Sequence, residues 1–221
     1  MGEMEEINEA RVYITTVAQQ RNFEDIIYET ENPELKTGKK EYYPIFNIIR
    51  NTAKNGDEVK VIAIQIPQND GDQAVERNFG ILKNALSQFE QEKGLKINLE
   101  KISLTPQQNN ETHRNLFKRL ILEIPQVCDV YADITYGTKP ISIAVLTALN
   151  AISIMRKYCD VKRIVYGQVN WGSEPKTATL YDVTDLFGLD LMIKEMDNRG
   201  GENIEEAVKL MLGIREADKH E

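Results

Sequence analysis

The sequence predicts an α/β fold: a Rossmann-like, mostly parallel sheet with helices on both faces, followed by a short helical extension. Two observations predict it. Short apolar runs rich in β-branched residues alternate with longer segments of helical periodicity four or five times along the 221 residues. An apolar content of 41 % with 28 % charged residues is typical of a packed globular chain. The length allows one sizeable domain with an appendage.

Three strands and two helices are predicted in the first half of the chain. The first strand begins at Arg11, in RVYITTVA, and ends near residues 15–18. The polar stretch 19–40 is expected to be a long excursion, after which a helix begins at about Pro44. The continuously apolar EVKVIAIQIP predicts a strand covered on both faces. Apolar residues spaced three and four apart predict a helix over 73–93, ended by Gly94, before the strand KINLEKISL.

The second half continues this alternation. A helix over 111–124 is ended by Pro125, and VCDVYADITYG then forms a strand that leads into a glycine turn. Pro140 begins the long apolar helix PISIAVLTALNAISIMRKY, because the first turn of a helix does not need its N–H group. KRIVYGQV and its hairpin partner TATLYDVT close the sheet. We therefore predict a Rossmann-like domain over 1–191 and a helical extension over 192–221, in which Gly200 and Gly201 separate two short helices.

Charge and composition exclude several classes of protein. The net charge of −8 argues against a protein that coats duplex DNA or an anionic membrane, since both need a broad basic surface. No apolar run approaches a membrane span and the start is acidic, so a cytoplasmic protein without membrane contact is expected. Cys128 and Cys159 are expected to be free, buried thiols. Without a CxxC pair or a His/Cys cluster, neither a metal nor a cofactor is predicted.

The loops at the carboxyl ends of the strands, at 15–20, 68–72, 105–110, 135–140 and 166–172, are where a ligand is expected. The segment DITYGTK, residues 133–139, carries the strongest signal. Gly137 permits close approach of the backbone to an anion, Thr135 and Thr138 offer hydroxyls, and Lys139 adds a cation where the helix dipole is already positive. The spacing fits neither GxxxxGK[ST] nor GxGxxG, so neither a nucleoside triphosphatase nor an NAD enzyme is supported.

The segment also has a purely structural interpretation. GTKP could make a tight strand-to-helix turn, with Lys139 solvated and Asp133 capping a neighbouring backbone group. A second pair of hydroxyls, Thr15 and Thr16, favours the ligand site, because the end of the first strand normally lies beside such a turn in this fold.

DITYGTK, followed by a long apolar helix and YGQV, resembles the CRISPR-associated Rossmann fold (CARF) domains of type III systems, which sense cyclic oligoadenylates. The resemblance covers roughly residues 11–191. It implies a homodimer that binds cyclic tetra- or hexa-adenylate across its two-fold axis. Thr15 and Thr16 would contact phosphate or ribose, residues 135–139 would hold phosphates, and Gln168 would lie near an adenine edge. Tyr136, Asn170 and Trp171 are weaker candidates for adenine contact. The full set assigned to the ligand comprises Thr15, Thr16, Ala18, Gln19, Asp70, Thr135, Tyr136, Gly137, Thr138, Lys139, Gln168 and Trp171.

Some members of this family also cleave their ring slowly, by attack of a ribose 2′-hydroxyl on the adjacent phosphate. Such a ring nuclease needs positioning and charge stabilisation rather than a metal or a histidine base. Lys139 and Thr16 are the candidate catalytic residues. The family's sensors usually carry an effector, and none is recognised here, because the R-x4-H spacing of Arg215 and His220 matches the HEPN ribonucleases by chance only. Either the chain works alone as a sensor or ring-cleaving protein, or its effector domain is absent from this chain.

Two other functions stay open from the sequence. The first is an enzyme that acts on a different phosphorylated small molecule in the same cleft. The second is an interaction or dimerisation module in which the turn is inert.

Overall fold

A computed structural model describes residues 10–67, 73–170, 172, 176–198, 200 and 203–213. The chain divides into two units, Met1–Val183 and Thr184–Glu221. The sequence-based boundary after residue 191 lies within the first helix of the second unit. None of the described helices is long and apolar enough to cross a lipid bilayer.

Eight strands of the first unit form one sheet. They are β1 (Ala10–Thr16), β2 (Ile26–Glu29), β3 (Lys40–Glu41), β4 (Glu58–Gln65), β5 (Lys96–Ser103), β6 (Val127–Asp133), β7 (Tyr158–Asn170) and β8 (Thr177–Asp182). Their order is β3-β2-β8-β7-β6-β1-β4-β5. The five strands from β7 to β5 are parallel, β8 is antiparallel to β7, and β2 is parallel to β8. The predicted α/β class and the predicted hairpin are therefore confirmed.

Four helices cover the two faces of this sheet: α1 (Ile45–Thr52), α2 (Ala74–Lys93), α3 (Asn110–Glu123) and α4 (Lys139–Met155). On one face Tyr13 of β1 shares a 2.9 Å hydrogen bond with Thr52 of α1, and Phe46 of α1 packs against Phe89 of α2. Val12 and Ile14 point to the opposite face and are equally buried. There α3 packs on α4, and α4 packs on β7.

The prediction for residues 19–40 was wrong, because this stretch contributes structure to the sheet. It contains β2, a short 3-10 turn (Pro33–Leu35) and the first residue of β3, which pairs antiparallel with β2. In β2 only Ile26 and Tyr28 are buried, alternating with exposed neighbours. Two buried apolar residues within a polar segment make an alternation too short for periodicity to reveal a strand.

Helix α4 ends earlier, and β7 is longer, than the sequence suggested. The buried Arg156 caps α4 and donates hydrogen bonds to the backbone oxygens of Ile121, Ile124 and Pro125. The chain then enters β7 at Tyr158 instead of continuing the helix. At its other end β7 runs through Asn170, so the predicted strand KRIVYGQV is confirmed, and residues 166–170, which were also assigned to a ligand-binding loop, are strand.

The described residues of the second unit form two helices, α5 (Thr184–Asn198) and α6 (Ile204–Met211), as the sequence predicted. Between them Gly200 has a positive φ of 68°. The second glycine of the pair, Gly201, lies outside the described residues, as does the Arg215–His220 match.

Candidate functional site

The carboxyl ends of β1 and β6 lie side by side at the point where the strand order reverses. From β1 the chain moves outward through β4 and β5, and it then returns to place β6 on the other side of β1. Ligands of open parallel sheets bind at such a switch point. The register pairs Thr15 with Asp133, so the end of the first strand adjoins the turn made by residues 133–139, as predicted.

Asp133 is a buried carboxylate that holds this turn from below. It is 2 % exposed. The Thr15 hydroxyl donates to its Oδ2 at 2.9 Å, and the Thr135 N–H donates to its Oδ1 at 2.9 Å. The N–H of Ile45, the first residue of α1, is a further donor. Burial raises the pKa of Asp133, while these hydrogen bonds act in the opposite direction. Asp133 therefore organises the interior and is not presented to a ligand.

Thr135 fixes the turn to β7. Its hydroxyl oxygen accepts a 2.7 Å hydrogen bond from the N–H of Gly167, and the adjacent Ile134 N–H donates to the Val165 oxygen at 3.0 Å. A Cβ atom at Gly167 would lie 2.8 Å from Cγ of Pro44. Glycine at this position lets β7 approach the start of α1 closely enough to make the bond to Thr135.

Gly137 has φ of 94°, which a residue with a side chain adopts only with strain. A Cβ atom there would also lie 2.8 Å from Cγ2 of Thr16. Thr16 is buried directly beneath the turn, and the Thr15 hydroxyl is bonded to Asp133. Both threonines, predicted as ligand contacts, support the turn from the interior in this structure.

Tyr136 and Ala18, two further predicted contacts, are buried as well. Tyr136 is 4 % exposed, and its ring packs edge-on against Phe23 and Tyr43. Its hydroxyl donates to the Tyr42 oxygen at 3.3 Å and shares a 3.0 Å hydrogen bond with the Tyr28 hydroxyl. Burial raises the pKa of Tyr136 well above its usual range. Tyr136 thus anchors the turn in the aromatic core, where its ring is not available to an adenine.

The outer side of the turn, by contrast, is open. Gly137 and Lys139 are exposed and Thr138 is half-buried. Thr138 is the N-cap of α4, and its backbone oxygen accepts hydrogen bonds from the N–H groups of Ile141 and Ser142. Within the described part of the chain, the backbone N–H groups of residues 137, 138 and 139 have no acceptor. Three N–H groups at the positive end of a 17-residue helix, next to an ammonium group, form a binding site suited to an anion.

The loop between β5 and α3 reaches this turn through Gln108. The Thr138 hydroxyl donates to Oε1 of Gln108 at 3.0 Å. Asn109 is the next residue along this loop, and its side chain accepts from the Thr112 N–H to cap α3. The N-termini of α3 and α4 are therefore neighbours, which adds a second helix dipole to the field at the turn.

An exposed aromatic pair lies on the β7–β8 hairpin beside the turn. Tyr166 and Tyr181 are opposite each other in the hairpin, 42 % and 45 % exposed, with ring centroids 6.5 Å apart and planes within 19°. The Tyr181 hydroxyl donates to Oε1 of Gln168 at 3.2 Å, so the exposed Gln168 belongs to the same surface. Sequence reasoning missed both tyrosines as site residues, because only the strand register brings them together.

Two residues of α2 hold the loop that follows β1. The buried Asn78 donates from Nδ2 to the oxygens of Ala18 and Gln20, both at 2.9 Å, and Arg77 donates to the oxygens of Gln20 and Arg21. Gln19 is half-buried, with its Nε2 3.4 Å from the Ile66 oxygen. The sequence analysis missed Asn78, although a polar residue on the buried face of a helix often holds a neighbouring loop by hydrogen bonds.

Other features of the described chain give no competing site. Asp70 and Trp171, which the sequence assigned to the ligand, lie outside the described residues. The described residues contain no group of three or more His, Cys, Asp or Glu side chains able to hold a metal. A groove of about 440 Å³, lined by residues that include Val59, Leu95 and Ile97, lies at the amino ends of β1, β4 and β5, opposite the switch point.

The fold and this site define a class, a Rossmann-like α/β protein with an exposed helix N-terminus at its switch point. No protein-family model matches the chain, and no curated protein matches its sequence. The function must therefore be argued from the site.

Proposed function

We propose that this chain is a cytoplasmic sensor of a cyclic oligoadenylate, similar to the CARF domains, and that it binds the ring across a homodimer in type III CRISPR defence. The observation that carries the proposal is the exposed start of α4. The N–H groups of residues 137–139, which have no acceptor among the described residues, lie with Lys139 at the switch point of the sheet.

The chemistry of this surface suits a phosphodiester. A phosphate accepts hydrogen bonds from adjacent N–H groups at a helix start, and the Lys139 ammonium group adds a charge-assisted contact. The chain as a whole carries a net charge of −8, which disfavours long polyanions. A small nucleotide that is held at one local cationic point is thus favoured over duplex nucleic acid.

The neighbouring hairpin surface suits a base. Exposed aromatic rings stack on nucleobases whatever their identity, and Tyr166 and Tyr181 present such rings. Gln168 uses its side-chain oxygen for Tyr181, so its NH₂ group is the part that can donate to a ring nitrogen of adenine. A phosphate site and a base site side by side are what an oligoadenylate needs.

The proposal includes a two-fold dimer. A cyclic oligonucleotide repeats the same phosphate and base, and an isologous dimer repeats the same turn and hairpin. One ring per two chains is therefore the expected stoichiometry.

Ring cleavage would use the same turn. Lys139 would stabilise charge on the phosphate while a 2′-hydroxyl attacks it in line. Thr16 would contribute through its contact with Gly137, because Thr16 itself is buried. This arrangement assigns no step to a metal or a histidine.

Calorimetric titration with cyclic tetra-adenylate and cyclic hexa-adenylate tests the proposal. Binding of one ring per two chains is expected, and chromatography of the recovered ligand reports cleavage. Lys139→Ala removes a contact worth about 1.5–3 kcal/mol and should weaken binding at least tenfold. Lys157→Ala is the matched control, since Lys157 is equally a surface lysine but precedes the amino end of β7. Equal affinity of both variants, or no heat with either ring, would remove the proposal.

A second function is favoured by the completeness of the phosphate site within one chain. All of its N–H donors and its lysine come from one turn, so a phosphorylated metabolite could bind without a partner. An enzyme acting on such a metabolite would bind one ligand per chain. The stoichiometry of the same titration separates it from the sensor.

A further inference from the structure

Two thiols face each other across the β6–β7 pair, away from the site described above. Cys128 and Cys159 are register partners in neighbouring parallel strands, and their Sγ atoms lie 3.0 Å apart. They are 1 % and 3 % exposed. They are also the chain's only two cysteines. The sequence predicted two free, buried thiols, and the fold brings them into contact.

The backbone geometry at this pair permits a disulfide without displacement of either strand. Neighbouring strands of a sheet are about 4.8 Å apart, and register partners point to the same face. Disulfides join Cα atoms about 4.4–6.8 Å apart. The sulfurs need to approach by only about 1 Å to reach the S–S bond length of about 2.05 Å, a distance that side-chain rotation can cover.

The surroundings of the pair favour a thiolate on one member. The hydrogen bond from Cys128 lowers the pKa of Cys159; burial opposes this shift, and the nearby Arg156 guanidinium supports it. Arg156 is held in place by the backbone oxygens of Ile121, Ile124 and Pro125. The same hydrogen bond and burial raise the pKa of Cys128, so Cys159 is the member of the pair that loses its proton more readily.

We propose that Cys128 and Cys159 form a two-electron redox site that a hydroperoxide converts to an intramolecular disulfide. The Cys159 thiolate attacks one peroxide oxygen, the O–O bond breaks, and a sulfenic acid forms as the leaving hydroxide takes up a proton. Cys128 then attacks the sulfenic sulfur, the S–S bond forms, and the displaced hydroxide leaves as water with the proton of Cys128. Overall, two thiols and one hydrogen peroxide give one disulfide and two water molecules.

The disulfide would clamp the unit that carries the 133–139 turn. The two cysteines are 31 positions apart, and the segment between them contains the turn and all of α4. A cross-link between the amino ends of β6 and β7 closes this segment into a loop and reduces the freedom of the unfolded chain. For a loop of this size in a chain of this length, the thermal midpoint should rise by roughly 5–15 °C.

Intact mass measurement provides the test. The full chain is reduced, freed of reductant, treated with one equivalent of hydrogen peroxide, and denatured in the presence of N-ethylmaleimide. The reduced protein should take up two maleimide groups. The oxidised monomer should take up none and be lighter by two hydrogens, which with two cysteines in the chain identifies the Cys128–Cys159 bond. The thermal midpoint should rise as stated and return after dithiothreitol.

Cys128→Ser and Cys159→Ser are the control variants, and neither can lose the two hydrogens or gain the rise in midpoint. The proposal is overturned if the wild-type chain keeps two maleimide-reactive thiols. It is equally overturned if each thiol gains oxygen without loss of the two hydrogens, or if only disulfide-linked dimers form. No ligand takes part in this experiment, so its outcome is independent of the proposed sensor function.

Discussion

Replacement of Asp133 by alanine should strongly destabilise the fold. The carboxylate is buried and accepts from the Thr15 hydroxyl and from the N–H groups of Thr135 and Ile45. It therefore joins the end of β1, the turn after β6 and the start of α1. Alanine leaves all three donors without this acceptor.

The magnitude follows from the two backbone donors. The Thr15 hydroxyl can rotate toward another acceptor, but the N–H groups of Thr135 and Ile45 are fixed by the backbone. A buried donor without a partner costs about 1–3 kcal/mol, and the vacated space adds a smaller amount. The expected loss is roughly 3–6 kcal/mol in the free energy of unfolding, which corresponds to a fall of roughly 10–20 °C in the thermal midpoint for a chain of this length.

Urea unfolding followed by circular dichroism measures this loss directly. Asp160→Ala is the control: Asp160 is exposed on the neighbouring β7 and pairs with Lys162 at 2.9 Å at the surface. That variant should change the free energy of unfolding by less than about 1 kcal/mol. A loss below 1 kcal/mol for Asp133→Ala would refute the role of Asp133 as the organiser of the turn.

Two further predictions concern the same turn. Burial raises the pKa of Asp133, so its contribution to stability is complete below the unfolded pKa near 3.9 and is lost as pH rises through the folded pKa. We therefore expect the wild type to lose stability relative to Asp133→Asn as pH rises from about 4. A gain in the free energy of unfolding relative to this variant would contradict the raised pKa of Asp133. Gly137→Ala should cost about 1–3 kcal/mol, because φ is 94° and the new Cβ would lie 2.8 Å from Cγ2 of Thr16. Gly80→Ala is its control in the same urea assay: Gly80 lies in α2 with no atom within 4 Å of an added Cβ, so that variant should be unchanged or more stable by about 0.5–1 kcal/mol.

Much of the sheet could be predicted because the relevant signals are local. Short runs rich in apolar and β-branched residues identified β1, β4 and β6, and apolar spacing of three and four identified α2. Gly137 and Pro140 correctly located the connection between β6 and α4. Strand β2 escaped because its burial depends on pairing with β8, which follows it by about 150 residues and leaves no local trace.

The sequence predicted where the 133–139 turn lies in the fold, but not how its side chains are arranged. The sequence placed the candidate site in the 133–139 segment and beside the end of β1. A glycine, hydroxyl residues and a lysine that directly follow a strand form a pattern that can be recognised in the sequence itself. The conformation of the turn decided which side chains face inward: Asp133 and Tyr136 are buried, whereas Lys139 is exposed. That conformation depends on contacts with distant residues such as Thr16 and Tyr28, which short sequence patterns do not reveal.

The amino-acid sequence by itself determined the α/β class, the order of most elements, and the turn with its exposed lysine. Periodicity, glycine and proline act within a few residues, so these features are fixed locally. Only the tertiary structure decided which distant residues meet: Tyr166 with Tyr181, Cys128 with Cys159, and Asp133 with the start of α1. These contacts depend on strand register and on packing across the sheet. Both are set by the free energy of the whole chain and not by that of any one segment.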